Sequence, residues 1–350
     1  MYLNTASIIK KKITIGINNK ENTNTLNIAY GIDKNFILGC AISITSILAN
    51  NPKSNFSFHI FTNNISYDFE KKLNLLSKQY HTEITLYLVD DKSLSILPTT
   101  KYWTIATYFR FIVADYFYKQ IDKILYLDAD IICKGSLSEL FSLKFDNNIA
   151  YVVNDKDNIW WNKCAVRLNE SKLSKGYFNA GFLLINLNNW HEADINKKAL
   201  ELLCDNSQSA KLTHLDQDVL NILLLDKVKY LDKKYNQQVS INYELKKKFK
   251  VIPYSPINDD TLLIHYIGPT KPWHKWAKKY KCSRYFLNSK EASPWSSIPL
   301  LSASSSKQMR YCAKHNWHQK RFIVAMFSFI RYIIYKINFQ KIFIFRRKKR

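Results

Sequence analysis

Short apolar runs alternate along this chain with longer segments in which apolar positions recur every three to four residues. Leu26–Ile32 reads as a buried strand. Phe36–Asn50 reads as a helix carrying Ile37, Cys40, Ala41, Ile44, Ile47 and Leu48 on one side. The alternation continues with a strand at Phe56–Thr62, a helix at Ser66–Tyr80 with Ser66 as its N-cap, and a strand at Ile84–Val89. A helix at Thr104–Tyr118 then leads into a strand at Lys123–Leu127. Strands alternating with helices of this length predict βαβ units and an α/β fold with a mostly parallel central sheet. Ligands of such sheets bind beyond the carboxyl ends of the strands.

The middle of the chain is less regular. Ala150–Asn154, Phe182–Leu187 and Leu262–Ile267 read as strands, and Trp190–Leu203 and Leu215–Leu225 as helices. The pattern divides the chain into a polar leader (1–25), a catalytic domain (26–292), a Ser/Pro-rich linker (293–306) and a tail (307–350). No internal repeat of the 20–50-residue kind is visible.

Charge changes the picture mainly at the end of the chain. The formal net charge is +24, and after Glu291 thirteen Lys or Arg follow with no Asp or Glu. A basic tail implies an anionic partner, a membrane surface or a nucleic acid. No stacking platform or recognised RNA module accompanies it, so nucleic acid is not expected. Phe322, Ile323, Met326, Phe327 and Ile330 add apolar area to the same tail, which suits a peripheral membrane contact. The run Phe322–Ile330 is far short of the ~20 residues that span a bilayer. The six cysteines show no CxxC pair or zinc spacing and read as reduced thiols of a cytoplasmic protein. No apolar run in the leader suggests a signal peptide.

Four segments carry candidate chemistry. The apolar strand Lys123–Leu127 ends in Asp128-Ala129-Asp130, and carboxylates set this way at a strand end can share a divalent cation. Two further Asp-x-Asp triplets, Asp155/Asp157 and Asp216/Asp218, show that the triplet alone is a weak sign. His265 lies in a second apolar strand and is followed by Gly268-Pro269 and Lys271. Glycine lets backbone approach a phosphate, and lysine offers it a point charge. His265 is equally what a satisfied core histidine looks like, and Lys271 what a solvated one does. Gly31-Ile32-Asp33-Lys34-Asn35 follows the first strand, where Asp33 and Asn35 are placed to read a base edge or simply to cap a turn. No GxGxxG or P-loop is present. Asn179-Ala180-Gly181 and Asp216-Gln217-Asp218 offer side chains that grip sugar hydroxyls, or that cap helices.

Taken in order, the segments AYGIDKNF, TYFRF, LYLDADI, YFNAGFLLINL, HLDQDVLN and HYIGPTKPWHKW resemble glycosyltransferase family 8 from Leu26 to Trp295. SITSILANNP, FRFIVADYF and KGYFNAGFLLIN bring the chain nearest to the bacterial lipopolysaccharide core α-1,3-galactosyltransferases, some of which use glucose. The resemblance implies a GT-A type nucleotide-sugar-binding fold, a UDP-hexose donor, Mn²⁺ or Mg²⁺, and retention at the anomeric carbon. It also implies roles. Asp128, Asp130 and His265 would hold the metal, and Asp33 and Asn35 would meet the uridine. Gly268 and Lys271 would meet the diphosphate. Arg110, Asn179, Ala180, Gly181, Asp216 and Gln217 would line the donor sugar, the last two nearest the reacting carbon. The acceptor would be a glucosyl residue of the lipopolysaccharide outer core, with the enzyme peripheral on the cytoplasmic face of the inner membrane. Two alternatives stand beside this: an α-1,2-glucosyltransferase of the same family, and a basic surface-binding protein without catalysis.

Overall fold

The computed structural model describes residues 5–16, 24–100, 104–205, 209–246 and 257–347. Eleven strands are named among them: β1 Ile9–Ile15, β2 Thr25–Ile32, β3 Asn55–Thr62, β4 Glu83–Val89, β5 Lys123–Leu127, β6 Ile131–Cys133, β7 Ala150–Asn154, β8 Phe178–Asn186, β9 Val228–Leu231, β10 Gln237–Val239 and β11 Leu263–Tyr266. Eight form one sheet in the order β1-β4-β3-β2-β5-β8-β7-β9, and β10-β11-β6 form a second, smaller one. The run β4-β3-β2-β5 is parallel, as are β7 and β9, while β8 and β1 run against their neighbours.

Alternation along the central strands places helices on both faces. In β2, Leu26, Ile28, Tyr30 and Ile32 join one buried cluster, and Ala29 joins the other. In β5, Leu125 and Leu127 face the first, and Ile124 and Tyr126 the second. Strands buried on both faces need the continuous apolar runs seen in the sequence. The helix Ile37–Asn50 is correspondingly buried from Leu38 to Leu48. The helix Tyr67–Tyr80 buries only one stripe, and Ser66 caps it by accepting from Phe69 N.

Several expectations shift. The stretch read as a polar leader contains β1, which pairs antiparallel with β4. Its lysines mask the pattern: Lys10, Lys11 and Lys12 are exposed, while Ile15 packs into the core. Lysines on an edge strand discourage further pairing. The rest of that leader, 1–4 and 17–23, lies outside the described residues. The stretch read as a linker is packed down, with Trp295 buried edge-on to Phe69 at 6.3 Å and Leu301 exchanging backbone bonds with Trp273 and Lys275. The helix expected over Trp190–Leu203 is two, Leu187–Glu192 and Ile195–Cys204, broken where Asp194 turns left-handed at φ 54°.

The tail forms two helices, Ser306–His318 and Phe322–Arg347, joined by a tight turn with Lys320 at φ 60°. Ala325 is buried, while Trp317, Ile323, Met326 and Phe327 are exposed. Among the described residues, no helix is long and apolar enough to cross a membrane.

A candidate active site with an Asp-Asp-His cluster

Parallel pairing of β2 with β5 brings Asp33 and Asp128 to the same edge of the sheet, because each follows the last residue of its strand. β8 runs the other way, so its first residues, Asn179, Ala180 and Gly181, arrive at that edge, and Asp128 N donates to Gly181 O at 2.8 Å. β7 pairs antiparallel with β8 and delivers Asp155 there. β11 pairs with β6 so that His265 lies opposite Ile131, next to Asp130.

Asp128, Asp130 and His265 each offer a ligand atom, all within 4.8 Å of one another. His265 Nε2 is 3.2 Å from Asp130 Oδ1 and 3.9 Å from Asp128 Oδ2. Its Nδ1 is held by Asn236 Oδ1 at 3.0 Å. An amide oxygen only accepts, so Nδ1 carries a hydrogen there, and Nε2 is the nitrogen turned toward the carboxylates. Two oxygens and one imidazole nitrogen suit a divalent cation of the Mn²⁺ or Mg²⁺ type. Gly181 keeps the space open. A Cβ there would stand 2.5 Å from His265 Cε1 and 2.7 Å from Asp128 Oδ2.

Charges around the cluster are balanced. Lys271 Nζ bonds Asp130 Oδ2 and also donates to Tyr266 O at 2.7 Å. Burial alone would raise the Asp130 pKa, but the Lys271 and His265 contacts outweigh it and hold the carboxyl well below the usual range. Arg110, itself buried, bridges two acids, with Nη2 on Asp128 Oδ1 at 3.2 Å and Nη1 on Asp216 Oδ2 at 3.0 Å. It also donates to Ala180 O and Thr107 O and lies over the Tyr126 ring. Burial pushes the Asp216 pKa up to about 7, Arg110 pulls against this, and Asp128 adds to it.

A row of amides links this cluster to the neighbouring acids. Asn236 Nδ2 donates to Asn179 Oδ1 at 2.9 Å, and Asn179 Nδ2 to Gln217 Oε1 at 3.0 Å. Gln217 Nε2 donates to Asp155 Oδ2 at 3.1 Å, and Gln238 Nε2 to Asp155 Oδ1 at 2.8 Å. Asp155, Asn236 and Gln238 were not singled out as site residues in the sequence. Asp155 gave one sign, following β7 as Asp128 follows β5; Asn236 precedes, and Gln238 sits within, a three-residue strand with no apolar pattern to betray it.

The other residues fall around this centre. Asp33 accepts from Asn35 N at 2.8 Å and Thr104 Oγ1 at 3.2 Å, fixing a turn that leaves Asn35 exposed. Gly268 adopts φ +86°, a conformation other residues rarely take. Asp218, the second acid of its triplet, is consumed by structure: Arg167 grips both its oxygens, at 2.7 and 2.8 Å, and Tyr177, Thr213 N and His214 N donate to it.

The chain is 47% identical over 331 residues to the lipopolysaccharide 1,3-galactosyltransferase of Salmonella typhimurium, covering 94% of this chain and 97% of that one. It is 47% identical over 314 residues to the lipopolysaccharide glucosyltransferase WaaO of Escherichia coli, covering 89% and 91%. Among solved structures, the galactosyltransferase LgtC, crystallised with donor and acceptor sugar analogues, aligns with TM-score 0.64 at 23% identity, covering 77% of this chain and 96% of that chain. At that identity the likeness speaks for the fold, which is of the GT-A type. The glycosyl transferase family 8 model matches residues 27–277 and the family's C-terminal model residues 280–336, so this chain belongs to glycosyltransferase family 8.

Proposed function

We propose that this enzyme transfers galactose or glucose from a UDP-hexose, with retention, in α-1,3 linkage to a glucosyl residue of the lipopolysaccharide outer core. The observation that carries the reading is the Asp128–Asp130–His265 cluster at the carboxyl edge of the sheet, in a chain 47% identical to a lipopolysaccharide 1,3-galactosyltransferase. Mn²⁺ or Mg²⁺ held by these three side chains would supply Lewis acidity toward the departing diphosphate.

The chain's own groups do the rest. Lys271 brings a positive charge beside Asp130, and the left-handed turn at Gly268 exposes backbone for close approach; both suit a diphosphate. Asp33 and Asn35, at the end of β2, are assigned to the uridine. Arg110, Asn179, Ala180, Gly181, Asp216 and Gln217 are assigned to the donor sugar. Gln217 Oε1 already accepts from Asn179 Nδ2 and Ala180 N, and an amide is a poor nucleophile. Asp216 is buried and paired with Arg110. Both facts favour a same-face reaction, in which the leaving phosphate helps deprotonate the acceptor hydroxyl, over a covalent glycosyl intermediate. Mass spectrometry of protein quenched during turnover tests this; a glycosylated Asp216 would overturn it.

The C-terminal helices bear on the location. The helix Phe322–Arg347 exposes Phe322, Ile323, Met326, Phe327 and Ile330 among lysines and arginines. Each such cation near an anionic leaflet contributes about 1 kcal/mol. These features support a peripheral position on the cytoplasmic face of the inner membrane, where an amphiphilic acceptor would be met. Side chains beyond residue 337 lie outside those described.

The deciding experiment offers purified protein truncated lipopolysaccharide with UDP-galactose or UDP-glucose and Mn²⁺, and reads the product linkage by NMR. An α-1,3-linked hexose supports the proposal. An α-1,2 linkage moves the enzyme to the glucosyltransferase branch, and no metal-dependent turnover with either donor leaves only a surface-binding role. Asp130→Ala should abolish transfer with an unchanged circular dichroism spectrum.

A further inference from the structure

His315 lies on the helix Ser306–His318, in the part of the chain matched by the C-terminal family model. It is fully buried. Its ring nevertheless bonds to residues well before that helix. Nδ1 meets Tyr280 Oη at 2.7 Å, and Nε2 meets Asn242 Oδ1 at 2.9 Å and Thr270 Oγ1 at 3.2 Å. The amide oxygen only accepts, so Nε2 carries the hydrogen and shares it with Thr270, while Nδ1 accepts from the Tyr280 hydroxyl. Burial keeps the ring neutral, pushing its pKa down to about 4.

Thr270, also fully buried, stands between Gly268 and Lys271. Asn242 reaches the other end of that loop: a Cβ on Gly268 would lie 3.8 Å from Asn242 Nδ2 and 3.3 Å from Ser240 Oγ. At the Lys271 end, the backbone N donates to His274 Nδ1 at 3.0 Å. His274 stacks on Trp276 with ring centroids 4.2 Å apart, and Gln319, at the end of the His315 helix, donates to Trp276 O at 2.9 Å. The C-terminal helix therefore grips the loop directly through His315 and indirectly through Gln319.

We propose that His315 is a positioning residue of the donor site, fixing Thr270 and with it the backbone of the Gly268–Lys271 loop. This rests on the assignment of that loop to the diphosphate. A helix that only packed there would present an apolar side chain. A neutral imidazole with both nitrogens engaged instead commits Tyr280, Asn242 and Thr270 to one arrangement, because a buried polar group left unpaired is costly. Holding the loop in its binding geometry beforehand removes an ordering cost from donor binding.

The test measures UDP affinity by calorimetry with Mn²⁺ present, and uridine affinity by ligand-observed NMR, on the full-length chain. Variants are His315→Ala, His315→Gln, Thr270→Val and Lys271→Ala. Thr270→Val keeps the side-chain shape and removes only the hydroxyl, so it guards against a misfolded His315→Ala. UDP binding should weaken about five-fold in Thr270→Val and more in His315→Ala, the loss of a hydrogen bond's worth of ordering. His315→Gln should recover part of the loss. Uridine, which lacks the phosphates, should bind each variant as it binds the wild type. Unchanged UDP affinity in both His315→Ala and Thr270→Val overturns the proposal, and so does an equal loss for uridine, which would mark a general packing role. If Lys271→Ala leaves UDP affinity intact, the loop is not the diphosphate site, and the inference falls with that assignment.

Discussion

Gln217 points its amide nitrogen at Asp155, Nε2 to Oδ2 at 3.1 Å, and so turns its carbonyl oxygen toward Ala180 N at 3.1 Å. A carboxylate only accepts and a backbone N–H only donates, so the amide has a single orientation. Asp155→Asn removes that certainty, since an amide in its place can accept or donate. Turnover should fall about ten-fold, equivalent to ~1.4 kcal/mol of barrier, with a smaller change in donor KM. Steady-state kinetics alongside circular dichroism checks this; turnover within two-fold of wild type would show that Gln217 is held without Asp155.

Among the described residues, Arg110 is the cation paired with the buried Asp216 carboxylate. Removing it strands a charge in a dry site, which typically costs about 3–5 kcal/mol. Arg110→Ala should therefore lower the urea midpoint strongly. Adding Asp216→Asn should restore part of the loss, because the stranded charge is gone. A double variant no more stable than Arg110→Ala would mean the cost comes from lost packing over Tyr126.

Acid should loosen the fold before most carboxylates titrate. Burial depresses His59 and His274 to about 3 and His315 to about 4. Each folded-state pKa lies below the unfolded one, so the stability is present above about pH 6.5 and lost as pH falls toward the folded value, at up to ~1.4 kcal/mol per pH unit per histidine. Asp216, raised to about 7, works in the opposite sense and reduces the net slope. The melting temperature should fall between pH 6.5 and 4. His59→Gln, which can keep the bond to Asn27 Oδ1, should flatten that fall, and an unaltered slope would remove His59 from the account.

The exposed face of the last helix can be tested without disturbing His315. Replacing Ile323, Phe327 and Ile330, all exposed, by Ser should move the protein from anionic vesicles to the supernatant in a sedimentation assay. Activity on lipopolysaccharide should drop, while metal-dependent hydrolysis of UDP-hexose stays within two-fold, about 0.4 kcal/mol. A triple variant that still sediments at moderate salt would place the anchor elsewhere.

Legibility varied with the range of the interaction. Asp128 and Asp130 were readable because an apolar strand ends beside them, a local fact. Asp33, Asn35, Arg110, Asn179, Gln217, His265 and Lys271 were assigned on resemblance, motif by motif. Asp155 shared the Asp-x-Asp pattern with Asp216/Asp218, yet the pattern could not say that Asp218 spends both oxygens on Arg167. Asn236, Gln238 and His315 gave no local sign. Their partners lie 29, 83 and 45 residues away.

The sequence by itself determined the alternating helices and strands from Leu26 to Leu127, and hence a layered α/β sheet, because burial on two faces requires apolar runs that any reader can see. It also determined that acids stand at a strand end and that the tail is basic. Tertiary structure decided which acid meets which base. It put β1 on the edge of the sheet, folded the Ser/Pro stretch onto the domain, and set His315 against Thr270. Those choices depend on pairing between distant segments, where desolvated polar groups must find partners, and no periodicity along the chain encodes that search.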